Sequence, residues 1–185
     1  AAECDVLVLS PGIPIDHPLP VAFRKSGKAI VGEAELGARA LRVPAVAVTG
    51  TNGKTTTVSM IGHILRTAGK HAVTCGNIGK PIAACLSEFA EDGIAVAEIS
   101  SFQLETLSSL RPHVAVILNI AEDHLNRHYT MENYIYLKSR LLKNCTESEY
   151  AVLNMDDPVV RSFAEKTRAK VIGFSLAGKT EGAYI

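Results

Sequence analysis

Short apolar runs alternate with amphipathic segments along almost the whole chain. The apolar runs end at turn-forming residues and predict strands at 5–9, 28–32, 45–49, 71–74, 93–100, 113–120, 150–154 and 170–174. The segments between them predict helices at 18–26, 33–41, 54–68, 80–89, 131–143 and 157–167. Apolar strands that alternate with amphipathic helices are typical of an α/β fold with a mostly parallel sheet covered on both faces.

The pattern also predicts two units along the chain. Residues 1–43 have the order strand, helix, strand, helix, and Pro44 then precedes the apolar strand at 45–49. We therefore predict a boundary near residues 42–44, with one domain before it and a sheet domain over 44–185. The chain begins without a methionine and stops at EGAYI, so we expect it to be a piece of a longer polypeptide that is incomplete after residue 185.

Composition narrows the class of protein. The 185 residues are 47% hydrophobic and carry no net formal charge, so a packed core is expected and no nucleic-acid partner is indicated. No apolar run is long enough to span a bilayer, and we expect no membrane insertion. The four cysteines lack metal-type spacing and are interpreted as reduced thiols of a cytoplasmic protein.

A glycine-rich loop between a strand and a helix provides the clearest chemistry. The candidate phosphate-binding residues are Gly50, Thr51, Asn52, Gly53, Lys54, Thr55 and Thr56. Glycines let backbone N–H groups turn toward an anion, and the helix N-terminus adds partial positive charge. Lys54 is suited to bridging terminal phosphates, and the Thr55 hydroxyl to binding Mg²⁺. The alternative is a glycine-rich turn that only caps a helix.

Two further predicted strands end in polar residues that should lie near this loop. The strand at 93–100 is apolar until Glu98, and the strand at 113–120 is followed by His124. Ligands of open α/β sheets collect at the carboxyl ends of the strands. Glu98 is suited to Mg²⁺, which prefers oxygen ligands. His124 is a less usual ligand for Mg²⁺, and taken alone it is more readily interpreted as a hydrogen-bonded structural histidine.

The helix predicted at 131–143 carries a lysine on its apolar face. Met131, Tyr134, Ile135, Leu141 and Leu142 share that face, and Lys138 lies in the middle of it. Such a lysine either extends to the surface or has an altered charge state. A lysine with a lowered pKa could react with carbon dioxide, and the carbamate formed would be an oxygen ligand for a second metal ion.

Five strings resemble the Mur ligases, ATP-dependent enzymes that add amino acids to a UDP-linked peptidoglycan precursor. TGTNGKTTT (49–57) matches their phosphate loop. GNIGKP (76–81), EISSFQLE (98–105) and NIAEDHLNRH (119–128) resemble the branch that adds D-glutamate. LSPGIP (9–14) is similar to the end of the family's Rossmann-like, UDP-binding first domain. One departure is Asn126, at a position where the family usually has aspartate.

The resemblance implies a role for each matching residue. Lys54 and the loop amides would bind the phosphates of ATP, and Thr55 and Glu98 would hold one Mg²⁺. His124 and a carbamylated Lys138 would hold a second Mg²⁺, so that Lys54, Glu98, His124 and Lys138 form the catalytic set. The substrate-binding residues implied are Asn77, Ser100, Gln103 and His124 for the muramoyl-alanine part, and Ser10, Pro11 and Gly12 near the uridine diphosphate.

The activity implied is ATP-dependent addition of D-glutamate to UDP-N-acetylmuramoyl-L-alanine through an acyl phosphate, in the cytoplasm and by a monomer. We expect the piece alone to be inactive, because the family's third domain is not represented in it. Two alternatives remain open at this point. One is another Mur-type ligase or a Mur-like amidotransferase subunit with a different acceptor, and the other is a regulatory P-loop NTPase.

Overall fold

The computed structural model describes residues 3–184, which form nine strands and seven α-helices. The strands are β1 (Val6–Leu9), β2 (Ala29–Gly32), β3 (Ala45–Thr49), β4 (Ala72–Gly76), β5 (Ile94–Glu98), β6 (Val114–Ile117), β7 (Tyr150–Asn154), β8 (Lys170–Ser175) and β9 (Gly182–Tyr184). The α-helices are α1 (Pro18–Lys25), α2 (Glu33–Ala40), α3 (Lys54–Thr67), α4 (Ser101–Leu104), α5 (Leu125–His128), α6 (Met131–Ser139) and α7 (Pro158–Arg161).

Seven strands form one sheet with the order β4-β5-β3-β6-β7-β8-β9. Every neighbouring pair in this sheet is parallel, which confirms the predicted α/β fold. β3 lies between β5 and β6, and the carboxyl ends of these three strands lie side by side at one edge. The chain leaves β3 toward β4 and later crosses to β6 on the other side, so β3 is the point at which the strand order reverses.

Both faces of the sheet are covered, as the sequence pattern predicts. Successive side chains of a strand point to opposite faces, so Ala45 and Ala47 of β3 join one apolar cluster and Val48 joins the other. The Val48 face packs against α3 through Val58, which is fully buried. The Ala47 face packs against α2, α6 and the segment after β4. Small alanines on this second face let those elements approach the sheet closely.

Residues before β3 form a small sheet of their own. β1 and β2 pair with each other in parallel, and the seven-stranded sheet includes neither. α2 joins this part to the rest, and its Glu35 is buried against the loop after α4. The Glu35 carboxylate accepts hydrogen bonds from the backbone N–H groups of Ser108 and Ser109 at 2.8 and 2.9 Å. Burial opposes ionisation of this carboxyl, but the hydrogen bonds from those N–H groups, from Arg39 and from the Ser108 hydroxyl together outweigh it and lower the pKa of Glu35 to about 2.

Three of the predicted helices differ from the observed elements. Residues Ile82–Glu88 form a 3-10 helix, whose buried Ile82 and Cys85 are three positions apart and so lie on one line of that helix. The helix predicted at 131–143 is α-helical only to Ser139 and then continues as a 3-10 turn, Arg140–Leu142. The helix predicted at 157–167 ends after one turn, and the bonds that follow, such as Lys166 N to Phe163 O, mainly join residues three apart.

The remaining features of the described residues are three elements that the pattern did not predict, the result for membrane-spanning helices and the state of the cysteines. The short helices α4 and α5 and the exposed strand β9 were absent from the prediction. Within residues 3–184, no helix combines the length and apolar character needed to cross a membrane. The four cysteines are unpaired, as predicted, with Cys4 exposed and Cys75, Cys85 and Cys145 buried.

Candidate active site

The phosphate loop follows β3, and two of its glycines have positive φ angles. Gly50 has φ 150° and Gly53 has φ 82°, a left-handed conformation that glycine adopts without strain. A Cβ atom at Gly50 would lie 3.0 Å from the Leu118 Cβ, so the loop runs close to the segment after β6. Lys54 is the first residue of α3, and its ammonium donates to the carbonyls of Gly50 and Thr51 at 3.0 and 2.8 Å.

The loop has a brace that the sequence analysis did not identify. Asn119, just after β6, accepts a hydrogen bond from the Asn52 N–H at 2.8 Å and donates one to the Asn52 carbonyl at 3.1 Å. The Asn119 carbonyl accepts a third from the Thr51 N–H at 2.9 Å. Asparagine has both a donor and an acceptor in its side chain and can bond the backbone N–H and C=O of one residue in this way. The only signal in the sequence was its position at a predicted strand end.

Glu98 at the end of β5 is the centre of an oxygen-rich cluster. It is buried, and one carboxylate oxygen accepts from the Thr55 hydroxyl at 2.7 Å. The other oxygen accepts from the Asn77 side-chain amide at 2.9 Å. Gly76 permits this arrangement, because with φ 101° it passes so close to β5 that a Cβ would lie 2.2 Å from the Glu98 carbonyl oxygen. The structure thus brings together the predicted pair Thr55 and Glu98.

Lys138 is buried rather than extended to the surface. Only 1% of the residue is exposed, and its ammonium donates to the Gly50 carbonyl at 2.6 Å and approaches the Thr49 hydroxyl at 3.3 Å. It also lies 5.2 Å from the centre of the Tyr134 ring. Burial lowers the pKa of Lys138 to about 7, and the nearby Lys54 ammonium acts in the same direction. Of the two alternatives that the sequence left open, the structure supports the altered charge state.

His124 lies across the same cleft on a strained backbone. It precedes α5 with φ 54° and ψ 29°, a conformation that non-glycine residues seldom adopt. About half of its side chain is exposed, and its ring lies 4.9 Å from the Phe102 ring and 3.4 Å from the Asp123 carboxylate. Strain of this kind is maintained when the surrounding structure holds the residue in position.

A cleft of about 120 Å³ joins most of these groups. Five of the residues predicted from the sequence line it: Lys54, Asn77, Ser100, His124 and Lys138. It is also lined by four residues that were not predicted: Ser101, Phe102, Asp123 and Tyr134. Tyr134 bonds the Thr51 hydroxyl at 3.1 Å, so α6 is joined to the phosphate loop at two points.

The remaining predicted residues lie outside this cleft. The Gln103 side-chain oxygen accepts from the N–H and the hydroxyl of Ser100, which caps α4, so Gln103 orients Ser100. Thr56 is exposed in the first turn of α3. Ser10, Pro11 and Gly12 form a turn after β1, in which the Ser10 carbonyl accepts from the Ile13 N–H at 3.0 Å.

An arginine connects that turn to the cleft, and no periodic pattern along the chain indicated it. Arg127 donates to the Pro11 and Ile13 carbonyls at 3.3 and 3.1 Å. It also forms two hydrogen bonds, at 2.6 and 2.9 Å, to Glu105 of the SSFQLE string, and its guanidinium lies 4.9 Å from the Phe102 ring. A paired guanidinium held in this way fixes the position of the LSPGIP turn relative to the EISSFQLE string.

Comparison with known proteins identifies the family of the chain. Residues 48–184 match the family described as Mur ligase middle domain. Over 181 residues the chain is 46% identical to UDP-N-acetylmuramoylalanine--D-glutamate ligase of Clostridioides difficile (strain 630), covering 97% of this chain and 40% of that protein. It is 48% identical over 183 residues to the protein of the same name from Pelotomaculum thermopropionicum, covering 98% of this chain and 40% of the relative. The chain therefore spans about 40% of the length of these curated relatives.

Solved structures agree on the fold. The ligase titled UDP-N-acetylmuramate:L-alanyl-gamma-D-glutamyl-meso-diaminopimelate ligase (MPL) from Neisseria meningitides superimposes with a TM-score of 0.66 at 18% identity, covering 92% of this chain and 58% of that one. MurF from Acinetobacter baumannii gives a TM-score of 0.61 at 24% identity, over 77% of this chain and 34% of that chain. The match over residues 48–184, together with the relatives of nearly half identical sequence, shows that the chain belongs to the Mur ligase family.

Proposed function

We propose that the polypeptide containing this chain is an ATP-dependent ligase that joins D-glutamate to UDP-N-acetylmuramoyl-L-alanine in the cytoplasm, where ATP and UDP-linked sugars are made. The observation that supports it most is the buried Lys138, whose ammonium bonds the Gly50 carbonyl of the phosphate loop at 2.6 Å. A regulatory NTPase needs the loop but has no use for a second lysine buried behind it. The choice of D-glutamate rests on the relatives that bear that name.

Two oxygen groups next to the cleft fit a magnesium nucleotide. The Thr55 hydroxyl and a Glu98 carboxylate oxygen lie 2.7 Å apart, and both are ligands of the kind that Mg²⁺ prefers. No group of three or more His, Cys, Asp or Glu side chains within residues 3–184 could hold a metal by itself. The remaining ligands of such an ion would come from phosphate oxygens and water, as is usual for Mg²⁺ at phosphate sites.

A second ion site requires chemistry at Lys138. Because its pKa is about 7, a large fraction of this amine is uncharged at neutral pH and able to attack carbon dioxide. The carbamate formed would add two oxygens beside His124, which lines the same cleft. Bound Mg²⁺ would supply charge stabilisation for the phosphoryl group and align it. We assign Thr55 and Glu98 to the first ion, and His124 and carbamylated Lys138 to the second.

The reaction proposed has two steps. The carboxylate of the substrate's L-alanine attacks the γ-phosphorus of ATP. The bond from this phosphorus to the oxygen that bridges to the β-phosphate breaks, so ADP departs and an acyl phosphate is formed. The amine of D-glutamate then attacks the acyl carbon, phosphate leaves, and the amine loses a proton as the amide forms. Lys54 and the loop N–H groups hold the phosphates, where their fixed charges and dipoles stabilise the transition state.

We propose that the substrate lies along the strings GNIGKP, EISSFQLE and LSPGIP. Asn77 and Ser100 line the cleft and are proposed to contact the muramoyl-alanine part, with Gln103 orienting Ser100. The turn at residues 10–12, which Arg127 joins to the cleft, is proposed to lie near the uridine diphosphate.

The first experiment is phosphate release by the complete polypeptide with Mg-ATP and UDP-N-acetylmuramoyl-L-alanine, with and without D-glutamate. Release that needs both substrates is expected. Release that needs a different amine would keep a Mur-type ligase or amidotransferase but change the acceptor. Release that is indifferent to every amine would refute the ligase and favour a nucleotide hydrolase or switch.

The carbamate is tested by a substitution with chemical rescue. Lys138→Ala is expected to abolish turnover, and acetate, which supplies a small carboxylate, is expected to restore part of it. Lys143→Ala, at an exposed lysine just after the same helical segment, is the matched control and should keep normal activity. Near-normal turnover of Lys138→Ala without acetate would rule out the role.

A further inference from the structure

A second cavity in the described part of the chain is separate from the candidate active site. It has a volume of about 530 Å³ and lies between α6 and the segment after α7. Its lining residues are Glu132, Ile135, Tyr136, Ser139, Leu142, Lys143, Cys145, Phe163, Lys166, Thr167 and Arg168. No residue of the 120 Å³ cleft is among them, so the two sites are separate. The volume is within the range of about 300–1,000 Å³ that is usual for small-molecule sites.

The cavity exists because α6 and the 3-10 turn after it present two different faces to their surroundings. Tyr134, Lys138 and Leu141 form a buried stripe toward the sheet and the phosphate loop. Residues at positions 132, 135, 136, 139, 142 and 143 follow the three- and four-residue spacing of a second stripe, and all of them line the cavity. A complete helix over 157–167 could have packed against this stripe. α7 ends instead at Arg161, and the turns that follow leave the space open.

The cavity has an apolar interior and a cationic rim. Ile135, Leu142 and Phe163 supply aliphatic and aromatic surface, and Phe163 is buried in the main core. Burial raises the pKa of the Cys145 thiol to about 11, so this group is uncharged at neutral pH and adds to the apolar lining. Tyr136 is largely exposed and offers an aromatic face at the entrance.

Three cations surround this apolar surface, against one carboxylate. Lys143, Lys166 and Arg168 are exposed, and within residues 3–184 none of their side chains makes a hydrogen bond or ion pair with another residue. Glu132 is the acidic residue among the lining side chains. Exposed cations next to apolar surface favour a ligand that carries both an apolar body and a negative charge.

We propose that this cavity is a binding site for a small amphipathic anion, a planar apolar group that bears a carboxylate, sulfonate or phosphate. The apolar body packs between Ile135, Leu142 and Phe163, and the anion is bound by Lys143, Lys166 and Arg168. The site is independent of the proposed ligase reaction, because it shares no residue with the phosphate loop or the cleft.

The test uses the complete polypeptide and a fluorescent probe of this chemistry, anilinonaphthalene sulfonate, with Mg-ATP present to fill the nucleotide site. Saturable binding is expected. Lys143→Glu combined with Lys166→Glu should raise the dissociation constant by roughly tenfold or more, since charge contacts are replaced by repulsion. Ser139→Trp should abolish binding, because the indole fills the cavity from the exposed side of α6. Lys70→Glu combined with Lys179→Glu, at exposed lysines outside the cavity, should bind like the unmodified protein.

Two further controls separate the apolar and the charged contributions. The uncharged counterpart phenylnaphthylamine should bind at least about tenfold more weakly than the sulfonate. Ser59→Trp, on the exposed side of α3, controls for the added indole. The proposal is overturned if the unmodified protein shows no saturable binding, if either cavity variant binds the sulfonate like the unmodified protein, or if the uncharged compound binds equally well.

Discussion

Replacing Lys138 by methionine should stabilise the fold while it removes the proposed activity. The pKa of this lysine is lowered from 10.5 to about 7, which corresponds to about 5 kcal/mol at about 1.4 kcal/mol per pKa unit. Methionine keeps most of the side-chain volume and needs no proton. It loses the bonds to Gly50 and Thr49, each worth about 1 kcal/mol. The net expectation is a free energy of unfolding higher by about 2–3 kcal/mol at pH 7.

The pH dependence gives the sign of the effect. Between pH 7 and 10.5 the unfolded chain still holds the Lys138 proton while the folded chain has released it, so the unfolded state binds more protons there. Stability of the unmodified protein must then rise with pH, by up to about 1.4 kcal/mol per pH unit from this group. Below pH 7 both states are protonated and the full penalty remains. The advantage of Lys138→Met should therefore be constant below pH 7 and shrink toward pH 10.

Urea unfolding followed by far-ultraviolet circular dichroism, in buffers freed of carbon dioxide, measures both effects. Excluding carbon dioxide keeps Lys138 as the free amine. Lys143→Met, at an exposed lysine near the same helix, is the control and should change the free energy of unfolding by less than about 0.5 kcal/mol. A Lys138→Met variant that is less stable than the parent at pH 7, or whose difference from the parent does not change up to pH 10, would refute the reasoning.

Three other substitutions test the contacts of Glu35 and two contacts around the candidate site. Glu35→Gln should lower the free energy of unfolding by about 2–3 kcal/mol at pH 7. It should also reduce the loss of stability between pH 4.5 and about 2, because the folded protein protonates Glu35 only at the lower pH whereas the unfolded chain protonates it near pH 4.5. Urea unfolding at a series of acidic pH values measures both effects. Gly76→Ala should destabilise by about 2 kcal/mol or more, since its Cβ would meet the Glu98 carbonyl oxygen, and a normal urea midpoint would contradict this. Asn119→Ala should weaken Mg-ATP binding by the complete polypeptide about tenfold in calorimetry, because the backbone N–H and C=O of Asn52 both lose their bonds to this side chain. Unchanged affinity would show that the brace is dispensable.

The central part of the fold could be predicted because the spacing of its hydrophobic residues and the residue types of its loop indicate the same structure. β3, the phosphate loop and α3 are each specified by local residues: an apolar run, glycines with the required φ, and a helical stripe. Lys138 was predicted on the apolar face because a helix of known period fixes directions from sequence alone. Its burial and its contact with Gly50 depend on where α6 packs, which period does not determine.

The elements that were missed have contacts distant in sequence or are too short for a period to show. α4 has one turn, although the pair Ser100 and Gln103 is a capping signal that could have revealed it. α5 follows a left-handed His124, a conformation that residue type alone does not predict. Glu35 looks like an ordinary solvent-exposed acid within an amphipathic segment. Only the tertiary fold shows that it binds N–H groups of residues 73 and 74 positions away.

The strand order has a consequence for how this protein reaches its native state. All six pairings of the large sheet are parallel, so none can begin as a local hairpin, and each requires closure of an intervening segment. Proteins dominated by such long-range contacts fold slowly compared with helical bundles. The candidate cleft lies at the ends of β3, β5 and β6, so it forms only once β3 has paired with both β5 and β6. During synthesis, the cleft would thus appear only after the middle of the sheet has assembled.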